Sequence, residues 1–204
     1  MGDELNSAEN AIMEMARKAS VIRAHEVRAA GIHTEYLRRL CQSGHIIRTG
    51  RGLYVLAEGD FTEHHGFAQA SKRVPHGIIC LLSSLNYHEI GTQNPHEVWM
   101  AIDRAMRTPK VDYPPVRIFR FSGPSLKEGV EEKMIEGVPV RVYNPAKTVA
   151  DCFKYRNKVG IDVAIEALKE CWRSRRCTID ELVHYARICR VKKIMQPYME
   201  AIVA

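Results

Sequence analysis

The side chains best suited to chemistry in this 204-residue chain are cations and amides spaced along one predicted helix. At about 100° per residue, Arg38, Arg39 and Gln42 fall on the face opposite Leu37 and Leu40. Arginine and glutamine side chains hydrogen-bond base edges and phosphate oxygens, so this spacing favours a helix that reads nucleic acid. The predicted contacts on this helix and on the hairpin after it are His33, Thr34, Glu35, Tyr36, Arg38, Arg39, Gln42, Arg48 and Arg51.

The positive charge of the chain is concentrated around that helix. Residues 1–16 carry four acids and no base, whereas residues 17–51 carry eight bases against two acids, a local balance as large as the net +6 of the whole chain. Such a segment is the electrostatic footprint of nucleic-acid binding. A possible second basic surface comprises Arg173, Arg175, Arg176, Arg187, Arg190, Lys192 and Lys193. The second cluster is compatible with a solvated helix face, flanking DNA, RNA or an acidic partner.

Three short helices and a hairpin are predicted to position the arginines. Ser7 can cap the first helix, residues 24–30 form the second before Gly31, and the third opens at residues 32–34 and stops at Gly44. Two β-runs, 46–49 and 53–56, then flank a glycine-rich turn. This order predicts a winged helix-turn-helix over residues 1–60, with the third helix in the major groove. The alternative for such a unit is a module that binds only protein.

The remaining residues, 61–204, are predicted to form a larger α+β domain, because strands come first and the C-terminal part is helical. Acidic residues 58–60 mark the expected boundary. Predicted strands cover 77–82, 98–102, 116–121, 130–135 and 138–143, and predicted helices begin at Asp60, Ser83, Asn144, Ile161, Thr178 and Val191.

One pattern would support catalysis. Asp112 followed by Glu131-x-Lys133 resembles the metal-binding D…E-x-K core of restriction-type nucleases, in which carboxylates hold Mg²⁺. The other interpretation places Glu131 and Lys133 on the solvent side of a hairpin. Three His-Glu dipeptides lack the second histidine of a zinc protease, and phosphate-loop and hydrolase motifs are missing. We therefore predict a protein that is not an enzyme and has no metal and no cofactor, with the nuclease as the alternative.

The composition indicates a cytoplasmic protein without a membrane segment. The longest apolar runs, such as residues 78–82, are far shorter than the roughly 20 residues that a membrane span requires. The acidic start, residues 1–5, lacks the apolar region of a secretory signal. Six cysteines without a C-x-x-C pair are expected to be reduced thiols.

Several strings resemble AbiEi-type antitoxins. The N-terminal match comprises Gly31-Ile32, Leu37-x-x-Leu40, Gly44-x-Ile46-x-Arg48 and Arg51-Gly52-x-Tyr54-x-Leu56. The more specific match lies in the second domain and comprises CLLSSL at 80–85 with Tyr87-His88, PHEVWMAI at 95–102, and NPAKTVAD at 144–151 with Tyr155-Arg156 and Gly160. The resemblance covers about residues 10–190.

This resemblance implies the antitoxin of a type IV toxin–antitoxin, or abortive-infection, system. Its winged helix would bind double-stranded DNA at inverted repeats in its own promoter and repress the operon, through residues 33–39 and through Arg48 and Arg51. The protein would be a monomer or weak dimer in solution and would pair on DNA. Residues 61–204 would oppose a nucleotidyltransferase-like toxin functionally rather than through a tight complex. A solitary regulator without a toxin is the alternative.

Overall fold

The structure, a computed structural model, describes residues 5–203 of a mixed α+β protein, with helices near the N-terminus, strands after them and helices at the C-terminal end. The expectation about a missing secretory signal falls mostly on residues 1–4, outside the described part. The first elements are α1 (Ser7–Lys18), β1 (Val21–Arg23), α2 (Ala24–Ala29), α3 (Glu35–Gln42), β2 (Ile46–Gly50), β3 (Leu53–Leu56) and α4 (His65–Arg73).

The first helix begins one residue earlier than its predicted cap suggested. Asn6, not Ser7, is the N-cap: its side chain accepts a hydrogen bond from the backbone N–H of Glu9, whose carboxylate accepts in return from the N–H of Asn6. This reciprocal capping box satisfies two backbone donors that the helix leaves free. The prediction that Ser7 caps the helix was wrong, because Asn6 is an equally good cap with Glu9 at the right spacing.

A three-stranded antiparallel sheet, ordered β1-β3-β2, follows and packs against the first three helices. The predicted hairpin β2–β3 is present, and β1, which the sequence analysis did not predict, pairs with β3. The buried side chains of this part form one apolar cluster that includes Ile12, Val27, Leu37, Leu40 and Ile46. The helices and hairpin are thereby fixed around a common core.

Helix α4 begins five residues later than the predicted capping box at Asp60. Its N-cap is His64, which makes no side-chain capping bond, so the predicted cap was wrong. The contacts of the chain define two compact units. The first comprises the chain up to Pro75 with residues 111–114 and 134–140, and the second comprises the rest. The predicted domains, 1–60 and 61–204, stay a functional prediction, whereas the compact units divide the chain after α4.

The elements after α4 include five strands and a helical C-terminal part. They are β4 (Ile78–Ile79), α5 (Leu81–Tyr87), β5 (Val98–Asp103), β6 (Val116–Phe121), α6 (Pro124–Lys127), β7 (Val130–Ile135), β8 (Val138–Tyr143), α7 (Pro145–Lys154), α8 (Arg156–Val159), α9 (Ile161–Arg173), α10 (Ile179–Ile188) and α11 (Lys192–Val203). The strands form a sheet ordered β6-β5-β4-β8-β7. Strand β4 runs antiparallel to β5 and parallel to β8, and β5 runs parallel to β6.

The predicted strand 77–82 is the largest error in this part. Only Ile78 and Ile79 are in the sheet, and the apolar run continues into α5, where Leu81 and Leu85 are buried one helical turn apart. A short apolar run cannot distinguish a buried strand from a buried helix by periodicity.

Local capping signals predicted the C-terminal helices well. The Asn144 side chain accepts from the backbone N–H of Lys147 with Pro145 as the first helical residue, and Thr178 forms a capping box with Glu181. The buried face of α7 packs with α5, α9 and α10 in the main apolar cluster of the second unit. Within residues 5–203, no helix combines the length and the apolar character that crossing a membrane requires.

Candidate nucleic-acid interface

Helix α3 presents the predicted cationic face because its opposite face is held in the core. Leu37 and Leu40 are at most 1% exposed, whereas Arg38, Arg39 and Gln42 are exposed. This is the arrangement that the sequence spacing predicted. Thus two guanidinium groups and one amide project from an otherwise packed helix.

The residues at the start of α3 support the helix as well as lining its surface. The backbone N–H of Glu35 donates to His33 Nδ1 at 3.2 Å, so the exposed imidazole caps the first turn. Thr34 is the N-cap residue and makes no side-chain capping bond. His33 and Thr34, two of the predicted contacts, therefore lie at the helix entry, where free backbone donors also concentrate.

The two arginines of α3 differ in their surroundings. Arg38 Nε donates to Glu35 Oε1 at 2.9 Å, and a second nitrogen of the same guanidinium pairs with that oxygen. This hydrogen bond, together with the positive charges of Arg38 and Arg39, lowers the pKa of Glu35. The Arg39 guanidinium lies 5.3 Å from the centre of the Tyr36 ring. Arg38 is held by a carboxylate, whereas Arg39 rests on an aromatic face.

The β2–β3 hairpin supplies the other two predicted cations. Arg48 is exposed on β2, and its Nε donates to the carbonyl of Gly50 at 3.3 Å, while Arg51 is exposed in the turn. The strand pairing shifts register between Arg48 and Gly50, a bulge that increases the local twist. The charge of Arg48 also acts on the Cys41 thiol of α3, where it partly offsets the rise in pKa caused by burial. The hairpin and the helix therefore contribute to one electrostatic environment.

The structure adds a cation to this region that sequence reasoning missed. Arg73, the last residue of α4, donates from Nη1 to the backbone carbonyl of Arg51 at 2.6 Å. The only sequence signal was the basic pair Lys72-Arg73 near a helix end, which is common because cations favour helix C-termini.

The predicted second basic surface lies in the second unit, and all seven of its side chains are exposed. Arg173 and Arg175 line a cavity of about 890 Å³ together with Lys169 and the half-buried Trp172. Arg187 lies at the end of α10, Arg190 follows it, and Lys192 and Lys193 begin α11. The structure thus brings Arg173 and Arg175 to one concave site and places Arg187, Arg190, Lys192 and Lys193 around the α10–α11 junction. Arg176 pairs with Glu89 at 3.8 Å.

The residues of the nuclease alternative have structural partners or face solvent. Lys133 pairs with Glu131 at 2.8 Å on strand β7, each side chain being about 40% exposed, and Asp112 is exposed in a loop. Across residues 5–203, no group of three or more histidine, cysteine, aspartate or glutamate side chains is placed to hold a metal ion.

His88, from one of the three His-Glu dipeptides, lies 2.7 Å from the Tyr143 carbonyl. Burial lowers the pKa of His88, so it donates to that carbonyl as a neutral imidazole.

The segment that contains α3 and the arginine-bearing hairpin is similar to a known family of regulators. Residues 10–57 match the family described as "Transcriptional regulator, AbiEi antitoxin", which confirms the predicted resemblance for that segment and supports a role in regulation. Among solved structures, the chain is similar to the RV2827C protein from Mycobacterium tuberculosis, with 10% identity and a TM-score of 0.57. That likeness covers 89% of this chain and 72% of the other, and at this identity it concerns the fold alone. No protein with a curated description matches the chain.

Proposed function

We propose that this protein is a sequence-specific DNA-binding repressor whose N-terminal residues act as a winged helix. The observation that carries the proposal is the exposed face of α3, with Arg38 and Arg39 opposite buried Leu37 and Leu40, in the segment that matches a family of transcriptional regulators. In the proposed complex α3 enters the major groove and the β2–β3 hairpin, the wing, touches the backbone or the minor groove. Two copies would bind an inverted repeat in the protein's own promoter and exclude polymerase.

The contacts divide into two kinds with different signatures. Arg39 has the freer guanidinium on the reading helix, and a base-reading arginine contributes about 1–3 kcal/mol of discrimination between sequences. Arg48 and Arg51 on the hairpin suit phosphate oxygens, and loss of a phosphate contact weakens binding to all sequences and reduces the salt slope by about one.

The test is a fluorescence-anisotropy titration of the duplex upstream of the protein's own reading frame, at several salt concentrations. Arg38→Ala, Arg39→Ala, Arg48→Ala and Arg51→Ala should each weaken binding, with the salt slope falling for the two hairpin variants. Arg17→Ala removes an exposed arginine of α1 in the same unit and serves as the control for net charge. Unchanged affinity in all four variants, or equal weakening by Arg17→Ala, would refute the proposal.

We further propose that the protein is the antitoxin of a type IV system, with residues 61–204 opposing a nucleotidyltransferase-like toxin encoded next to it. The support is the description of the matching family and the resemblance of residues 80–151 to the second domain of such antitoxins. Co-expression with the neighbouring reading frame in a growth assay tests this. Full-length protein carrying Arg39→Ala and Arg51→Ala should lose repression and still rescue growth. A neighbour that is harmless when expressed alone would favour a solitary regulator.

The second basic surface is assigned in this proposal to the antitoxin activity, because it lies in the second unit and outside the segment that matches the regulator family. Charge reversal by Arg173→Glu and Arg175→Glu in the full-length chain should leave operator binding unchanged and impair rescue. Loss of operator binding in this variant would instead assign the surface to flanking DNA.

A further inference from the structure

The C-terminal end of α4 contacts both sides of the residue at the tip of the hairpin. Arg73 Nη1 donates to the carbonyl of Arg51 at 2.6 Å. The same guanidinium packs on Gly50, and a Cβ atom added to Gly50 would overlap Arg73 Nη2. The Arg73 guanidinium can therefore pack on the backbone before Arg51 only because Gly50 has no side chain.

Helix α4 is itself fixed to β1 and α2 of the same unit. Arg23 Nη1, at the end of β1, donates to the carbonyl of Lys72 at 2.8 Å. Lys72 Nζ pairs with Glu26 Oε1 on α2. These bonds anchor the last turn of α4, from which Arg73 reaches the hairpin.

The position of this guanidinium carries a cost in stability. Its Nε and Nη2 atoms are buried without a hydrogen-bond partner. Burial lowers the pKa of Arg73, the charge of Asp112 opposes that change, and the positive charges of Arg23 and Arg48 add to it. Desolvated donors close to other positive charges cost free energy, which offsets part of what a cation at a helix C-terminus usually contributes.

We propose that Arg73 is a positioning residue for DNA binding. Its hydrogen bond holds the backbone of the hairpin turn, so that the Arg51 side chain is directed to the DNA backbone. The proposal rests on the proposed DNA-binding function and extends the working surface to α4, beyond residues 10–57 that match the regulator family. Arg73 acts through Arg51, because its Nε and Nη2 donors are buried.

A double-mutant cycle on DNA affinity tests this coupling. Arg51→Ala removes one phosphate contact and should weaken binding roughly tenfold at physiological salt, with the salt slope falling by about one. Arg73→Met should produce a similar loss and a similar change of slope. The double variant should be no weaker than either single variant, since both changes remove the same contact. Arg39→Ala, on α3, is the control, and its effect should multiply with that of Arg73→Met.

Gly50→Ala provides an independent perturbation that leaves both arginines in place. The added methyl group displaces the guanidinium of Arg73, so Gly50→Ala should weaken DNA binding in the wild-type background and have no further effect with Arg73→Met. Gly50 does not have a positive φ, so alanine fits its backbone. Multiplicative effects of Arg51→Ala and Arg73→Met, or wild-type affinity for Arg73→Met, would overturn the proposal.

Trypsin cleavage of the free protein keeps this test separate from that of the proposed function. Cleavage after Arg51, followed by mass spectrometry, should be severalfold faster in Arg73→Met and in Gly50→Ala, because the turn opens more often. Faster cleavage in a protein that binds no DNA would refute the proposed function while showing the hold on the turn. Unchanged cleavage would refute the role of Arg73.

Discussion

Replacing Lys147 by methionine should lower the unfolding free energy of the second unit by about 3–5 kcal/mol, the cost of leaving one charge of a buried pair without its partner. Lys147 Nζ lies 2.5 Å from Asp151 Oδ2 one turn later on α7, and both side chains are 0% exposed. The ammonium also lies 4.1 Å from the centre of the Tyr143 ring. Cys189 Sγ donates to the other carboxylate oxygen at 3.1 Å. After the substitution, the Cys189 thiol remains as a hydrogen-bond donor to a carboxylate that water cannot reach.

The pH dependence of this loss has a defined sign. Burial raises the pKa of Asp151 in the intact protein, although Lys147 partly offsets the rise, and removal of the lysine raises that pKa further. A carboxyl group with a raised pKa in the folded state favours folding when it is protonated. The deficit of Lys147→Met should therefore be largest at pH 7 and shrink as the pH falls to 5, by up to about 1.4 kcal/mol per pH unit.

Urea denaturation followed by tryptophan fluorescence suits this measurement, because both tryptophans, Trp99 and Trp172, lie in the second unit. Lys154→Met is the matched control: Lys154 is half-buried on the same helix, and its Nζ donates to the Ser125 hydroxyl at 3.2 Å. This control should lose about 1 kcal/mol with a smaller pH dependence, because the charge of Lys154 lowers the pKa of Asp151 less than Lys147 does. Changing Asp151 to leucine together with Lys147→Met should recover most of the loss. A loss below about 1 kcal/mol that does not vary with pH would refute the reasoning.

Three further outcomes are expected. Gly137→Ala should destabilise the first unit by more than about 2 kcal/mol, because the new Cβ overlaps the carbonyl that ends α1. Gly44 has a similar positive φ but open space around it, so Gly44→Ala should cost only about 1–2 kcal/mol. Equal losses of stability in thermal melts would contradict this account. Asn6→Ala should lower the unfolding free energy by about 1 kcal/mol and Ser7→Ala by much less. The reverse order would show that Ser7 is the cap. A thiol reagent should modify Cys41 first in the native protein and the five buried cysteines only on unfolding. Six thiols should therefore titrate in denaturant, and a smaller number would indicate a disulfide.

The elements that sequence reasoning predicted correctly are those whose signal is local. Asn144-Pro145 and Thr178 with Glu181 define helix starts through bonds within one turn, and the structure has both. The exposed face of α3 was equally predictable, because Leu37 and Leu40 alone fix which side of that short helix is buried. For the same reason, the candidate contacts on α3 follow from spacing without knowledge of the fold.

The elements that were missed depend on partners distant in sequence. Strand β1 has three residues, Val21–Arg23, too few for alternation to show, and it exists through pairing with β3. The apolar run at 78–82 becomes two strand residues and then helix α5, since β4 gains its pairing from Ala101 and Met100. Arg73 belongs to this group, because its contact with Arg51 spans 22 positions.

The β7–β8 hairpin contributes residues to the first unit from far along the chain. Its turn was predicted, but residues 134–140 pack as part of the first unit. The Glu136 carboxylate accepts from the backbone N–H of Thr62 at 2.7 Å and pairs with His65 Nδ1 at 2.7 Å, so the chain leading into α4 is tied to this turn. A fragment of residues 1–60 would lack all of these groups. Poor repression by such a fragment would therefore reflect lost packing within the first unit as well as lost DNA contacts. Substitutions in the full-length chain separate DNA reading from the action of the second domain.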